Sequence, residues 1–125
     1  MIKIINCGIG NYASVKNMIN YLGHDSEIIN RPEELNDATG IIFPGVGSFD
    51  NCVKSLKPFL DILNIKVKQE KIPFLGICVG MQLLFSNSEE GVLKGLDWIS
   101  GTIVRFDFSK INEVNQIKIP HMGWN

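Results

Sequence analysis

Apolar residues fall in short blocks along this chain, and the spacing inside each block says what it forms. Ile2 to Ile5 is a β-branched run that ends at Asn6-Cys7-Gly8, and Gly8-Ile9-Gly10-Asn11 reads as a turn. Val15, Met18, Ile19 and Leu22 then recur at helical spacing, an apolar stripe that Gly23 is placed to end. Ser26 to Ile29 reads as a second strand. Gly40-Ile41-Ile42-Phe43 is a fully apolar strand that stops at Pro44-Gly45-Val46-Gly47. Helical patterning runs from about Phe49 to Gln69 with a break near Pro58. Ile72 to Ile77 is another apolar strand, and Val79 to Phe85 opens another helix.

Strands apolar on both faces, alternating with helices, predict an α/β fold: a flavodoxin-like open parallel sheet with flanking helices. Beyond Gly91 the pattern changes. Ile103-Val104-Arg105-Phe106-Asp107-Phe108 alternates with period two, and Ile117-Lys118-Ile119-Pro120 suits a returning strand, so an antiparallel hairpin is expected near the C-terminus. No repeat, low-complexity tract or linker divides the chain. It stops just after that strand without a closing helix, so residues 1–125 are expected to be the truncated N-terminal part of a single domain.

Composition narrows the partners. Twelve Lys and Arg against thirteen Asp and Glu give a net charge of -1, with no basic stripe to follow a phosphate backbone. No apolar stretch reaches the ~18 residues of a membrane span, and the N-terminus has no signal-peptide pattern. Neither nucleic acid nor membrane is expected as a partner. Cys7, Cys52 and Cys78 are odd in number and far apart, with no Cys-x-x-Cys pair. That spacing supports neither a disulfide framework nor a metal site, and no cofactor motif is present; free thiols suit a cytoplasmic protein.

The chemistry concentrates in Gly76-Ile77-Cys78-Val79-Gly80. A Gly-x-nucleophile-x-Gly turn between an apolar strand and a helix is the pattern of a nucleophile elbow, where glycines let backbone pack around an exposed reactive side chain. A helix N-terminus beside Cys78 favours thiolate, and the Val79 N–H would sit near the oxyanion of an attacked carbonyl. The same five residues also suit a buried structural cysteine in an ordinary strand-to-helix turn. Pro44-Gly45-Val46-Gly47 ends the neighbouring strand, so its N–H groups are expected to face Cys78 across the carboxyl edge of the sheet. By itself it is a turn and nothing more.

Four segments taken together resemble the class I glutamine amidotransferases: Gly8-Ile9-Gly10-Asn11, Pro44-Gly45-Val46-Gly47-Ser48-Phe49, Gly76-Ile77-Cys78-Val79-Gly80-Met81-Gln82-Leu83-Leu84-Phe85 and Pro120-His121-Met122-Gly123-Trp124-Asn125. More narrowly they are similar to the glutaminase subunits of imidazole glycerol phosphate synthase, of histidine biosynthesis. The resemblance implies that Cys78 attacks the side-chain amide of L-glutamine, giving a glutamyl thioester and ammonia. It implies an oxyanion hole from Val46, Gly47 and Val79, and substrate contacts from Gly47, Gln82 and Glu90, the last meeting the α-ammonium. It implies a (β/α)-barrel cyclase or synthase subunit as partner and ammonia acceptor, docked near Gly10, Asn11, His121, Met122, Trp124 and Asn125.

The chain departs from the pattern in places. Asn6-Cys7 stands where the family usually has an acidic-aromatic pair, and Val79 where it often has leucine. The family's downstream histidine and glutamate have no counterpart in residues 1–125: His24 follows a helix-ending glycine and is expected to be exposed, and His121 belongs to the docking motif. Cys78 without its base is a poorer nucleophile, so these residues alone are expected to have little glutaminase activity. Other readings stay open: a paralogue supplying ammonia for amidination of a surface sugar, a non-catalytic binding or regulatory domain that keeps the elbow, or another cysteine-elbow enzyme.

Overall fold

The computed structural model describes residues 1–6, 8 and 10–109. Its first half follows the sequence pattern closely. Strand β1 (Ile2–Ile5) leads through Gly8 and Gly10 into helix α1 (Tyr12–Tyr21), whose N-cap Asn11 accepts the Ser14 N–H at 3.2 Å. The helix ends where expected, at Leu22, with Gly23 following at φ +80°. Strand β2 (Ser26–Ile29), a 3-10 turn (Pro32–Leu35) and strand β3 (Gly40–Gly45) follow. Helix α2 (Phe49–Leu56) is capped by Ser48 and gives way to a 3-10 turn at Lys57–Phe59, where Pro58 removes a backbone donor. Helix α3 (Leu60–Leu63) runs into a π turn (Asn64–Gln69) before strand β4 (Phe74–Cys78).

These four strands form one parallel sheet in the order β2-β1-β3-β4, the doubly wound arrangement anticipated from the alternation of elements. Registers are continuous: Ile4 lies between Ile28 and Ile42, and β3 pairs with β4 from Ile41–Phe74 to Gly45–Cys78. Ile5, Ile29, Ile41, Phe43, Phe49, Cys52, Leu56, Leu63, Val79 and Leu83 pack into one core between the sheet and α2–α4. At the amino edge of the sheet the buried Lys3 ammonium is held by Glu27 at 2.6 Å and Asp37 at 2.9 Å, which compensates its burial. Strand β4 is an edge strand among the described residues, and its Leu75 and Ile77 are exposed.

The region after the elbow differs from the sequence reading. Helix α4 is a single turn, Val79–Gln82, rather than a helix reaching Phe85. Carbonyls that would have carried it onward accept elsewhere: Leu83 O takes the Leu96 N–H at 2.7 Å, and Leu84 O takes Trp98 and Ile99 at 2.9 Å each. The chain instead enters strand β5 (Phe85–Ser88), which pairs in parallel with β6 (Ile99–Ile103) across an irregular register. The strand expected over 103–108 therefore sits earlier and meets only its first residue. Residues 104–108 carry no strand; Arg105 donates its N–H to the Glu89 carboxylate at 2.8 Å instead of to a neighbouring chain. The returning strand expected at Ile117–Pro120, and with it the antiparallel pairing, lies outside the described residues; the pair that is described, β5–β6, is parallel.

Candidate active site

Cys78 closes β4 and immediately precedes α4, with φ +56° and ψ −120°. A non-glycine residue in that region is strained by roughly 1–3 kcal/mol, and such strain persists only where surrounding structure enforces it. The enforcement is visible. A Cβ on Gly76 would overlap the Gly80 carbonyl, one on Gly80 would overlap the Phe43 carbonyl, and one on Gly45 would overlap the Gly80 amide nitrogen. Three glycines thus let β3, β4 and α4 touch backbone to backbone, and the turn has nowhere to relax. The result turns Cys78 outward: it is exposed, whereas Cys52 is buried.

The loop after β3 arrives beside it, because the β3–β4 register makes Gly45 the partner of Cys78. Val46 is half exposed and Gly47 takes φ +97°, a conformation that suits glycine. The Cys52 thiol donates to the Val46 carbonyl at 3.4 Å, which ties this loop to α2. Burial, chiefly, pushes the Cys52 thiol above its ordinary value, and the nearness of Cys78 and Glu90 adds to it. Cys52 behaves as the packing residue the sequence suggested, and Cys7 lies outside the described residues.

Next to the elbow is a cavity of about 550 Å³ lined by Gln82, Ser88, Glu89, Glu90, Ile103, Val104, Arg105 and Phe106. Gln82 and Glu90, eight positions apart on different elements, are brought to one wall of it. Gln82 Oε1 is buried without a hydrogen-bond partner among the described residues. Cys78, Val46, Gly47 and Val79 do not line this cavity; they form the adjoining carboxyl edge of the sheet. Gly10 and Asn11 lie on that same edge: a Cβ on Gly10 would come within 3.0 Å of the Pro44 carbonyl oxygen. His24 is exposed, as expected, while His121, Met122, Trp124 and Asn125 lie outside the described residues.

Sequence reading missed the far wall. Residues 103–106 looked like strand, and the period-two pattern that suggested it arises from Val104 and Phe106 standing exposed at the cavity rim. It also missed Asp50, whose carboxylate accepts the N–H groups of Val92 and Leu93 at 3.0 Å each. The only sequence signal for Asp50 was an acid in the first turn after the N-cap Ser48, which reads as ordinary helix capping. An exposed, strained thiol beside a glycine loop, next to a cavity lined by the carboxylates of Glu89 and Glu90, suits nucleophilic attack on a small substrate bearing an amine.

Comparison with known proteins agrees with this geometry. The family model described as glutamine amidotransferase class-I matches residues 3–125. An imidazole glycerol phosphate synthase subunit, HisH 2, of Methanococcus maripaludis is 54% identical, across all of this chain and 60% of its own length. The HisH subunit of Leptospira interrogans is 42% identical over all of this chain and 61% of its own, and that of Cyanophora paradoxa 48% identical over 99% and 56%. The chain thus spans about three fifths of the length of these curated relatives. A solved structure described as a glutamine amidotransferase superposes with TM-score 0.68 over 89% of this chain and 60% of its own, at 19% identity, and so speaks for the fold alone.

Proposed function

Because the chain belongs to the class-I glutamine amidotransferases, we propose that it carries the nucleophile half of a glutaminase that releases ammonia from L-glutamine. The observation that carries the reading is Cys78 itself: exposed, held at φ +56° between two close-packed glycines, and in register with the Gly45 end of the neighbouring loop.

The Cys78 sulfur attacks the side-chain amide carbon, and the carbonyl electron pair moves onto oxygen. Backbone N–H groups of Val79 and of the Val46–Gly47 loop hold that oxyanion, each donor worth roughly 10²–10³ in rate. Collapse of the adduct re-forms the carbonyl and expels the amide nitrogen, which leaves as ammonia once protonated. Water then cleaves the glutamyl thioester to glutamate and restores the thiol. Glu90 meets the substrate's α-ammonium from the cavity wall, and Gln82, which lines the same cavity, contacts the substrate beside it. The histidine and glutamate that would activate Cys78 have no counterpart in residues 1–125, which span about three fifths of the relatives' length.

Ammonia passes to a (β/α)-barrel synthase subunit, for which Gly10, Asn11, His121, Met122, Trp124 and Asn125 are the proposed contacts. Identities of 42–54% to subunits of imidazole glycerol phosphate synthase support placing this cytoplasmic heterodimer, a hydrolase coupled to a lyase step, in histidine biosynthesis. The test is Cys78→Ala in the full-length complex. Glutamine-dependent synthesis should disappear while ammonia-dependent synthesis survives, and a glutamine-like electrophile should modify Cys78 in the native protein. Labelling chiefly at Cys7 or Cys52, or glutamine use undiminished in Cys78→Ala, would overturn the reading.

A further inference from the structure

We infer that Asp50 is a positioning residue that clamps the Glu90 loop to the start of α2 and so fixes the spacing between the glutamine-binding wall and the nucleophile. The inference rests on the function proposed above and deepens it.

The clamp is built from a few contacts. Asp50 Oδ1 accepts the N–H of Val92 at 3.0 Å and of Leu93 at 3.0 Å, and Oδ2 accepts Val92 again at 3.2 Å. These residues are more than forty positions from Asp50 in sequence, so the contact closes a long loop rather than decorating a local turn. Gly91 is fitted to it: a Cβ there would overlap Asp50 Oδ1 and lie 3.0 Å from both Asp50 Cγ and Phe49 Cδ1. On the other side of Glu90, its own N–H donates to the buried Ser88 Oγ at 3.2 Å. Glu90 therefore sits between two fixed points, Ser88 in β5 and Asp50 in α2.

The position of Asp50 in the chain gives the clamp its consequence. It stands three residues after Gly47, with only the N-cap Ser48 and the fully buried Phe49 between them. The carboxylate thus joins the two loops whose relative placement decides whether a substrate held by Glu90 presents its amide to Cys78. Asp50 touches neither substrate nor sulfur; it acts through the backbone of residues 91–93. Hydrogen bonds from backbone N–H to a carboxylate are charge-assisted and stronger than neutral ones, and their loss leaves the loop's donors to water.

The test is steady-state kinetics of the full-length complex with glutamine and, separately, with ammonia. Asp50→Ala should raise KM for glutamine by up to about tenfold, as the population of the binding-competent loop falls by the factor that one hydrogen bond to a charged group contributes, with ammonia-dependent turnover within about twofold of wild type. Asp50→Asn keeps an oxygen where both amides donate and should fall between wild type and Asp50→Ala. Gly91→Ala, which leaves the carboxylate in place but pushes the loop off it, should also raise KM for glutamine. A merely structural role would lower thermal stability and the glutamine kcat, through a smaller folded fraction, and would leave KM for glutamine unchanged. Wild-type KM in Asp50→Ala and Gly91→Ala, alongside wild-type glutamine use that Cys78→Ala abolishes, would overturn the clamp and leave the glutaminase reading standing. Absence of glutamine use by the wild-type complex would overturn the glutaminase reading itself.

Discussion

Gly80→Ala sets two physical arguments against each other. Gly80 lies inside helix α4, and alanine is favoured over glycine in a helix by about 0.8–1.0 kcal/mol, so propensity alone predicts a more stable protein. Packing predicts the reverse. The new methyl would overlap the Phe43 carbonyl oxygen, lie 3.1 Å from Phe43 Cδ1 and 3.2 Å from the Gly45 nitrogen. Two of these are backbone atoms of the central sheet, and Phe43 is 1% exposed, so nothing can swing aside. Forcing a methyl into such a site costs about 1–3 kcal/mol, which exceeds the propensity gain. The net loss is about 1 kcal/mol, and with a urea slope of ~2 kcal/mol per molar the unfolding midpoint should fall by roughly 0.5 M. Gly40→Ala is the internal control: its Cβ meets only Ile2 Cγ1 at 3.7 Å, an ordinary contact, so it should be neutral or gain up to ~1 kcal/mol from the stiffer unfolded chain. A midpoint for Gly80→Ala at or above that of Gly40→Ala would show that α4 does not rest on the β3 backbone, and the enforced strain at Cys78 would lose its cause.

Two further outcomes follow from burial and charge. In the native protein a small thiol reagent should modify Cys78 well before Cys52, because Cys52 is 2% exposed and its thiol is held above its ordinary value by burial; equal rates, followed by mass spectrometry of the labelled peptides, would contradict this. The hydrogen bond from Lys3 holds the Asp37 carboxyl below its usual 3.8, so the stability it contributes is present above about that pH and is lost as pH falls through the folded value. Denaturant midpoints measured against pH should therefore decline less on the acid side in Asp37→Asn than in the wild type, and parallel curves would refute the link.

The first half of the fold was legible because each strand of a covered parallel sheet is a self-contained apolar run, and the glycines at 23, 45 and 76 mark real constraints of the backbone. The elbow was legible for the same reason: glycines flanking a cysteine between strand and helix state a close approach directly. The short β5 was not legible. Leu83-Leu84-Phe85 is as good a continuation of a helix as of anything else, and what ends α4 is hydrogen bonding to Leu96, Trp98 and Ile99, more than ten residues away. Val104-Arg105-Phe106 misled for the opposite reason, since alternation there reflects a cavity rim rather than a pleat. The resemblance brought Gln82 and Glu90 together before the structure did, but Asp50 escaped it. A carboxylate clamping a distant loop has the same local signature as one stabilising a helix N-terminus.

The exposed face of β4 carries a consequence for how this polypeptide behaves in solution. On its outer side β4 has no strand neighbour among the described residues, and Leu75 and Ile77, two apart and so on one face of the strand, are 54% and 39% exposed. An open parallel edge with apolar side chains offers another chain both hydrogen-bonding groups and a surface to bury. Where that edge stays open, light scattering should rise with protein concentration and the β4 amides should exchange with solvent sooner than those of β1 and β3. The strand that delivers the nucleophile is therefore also the one most open to the wrong partner.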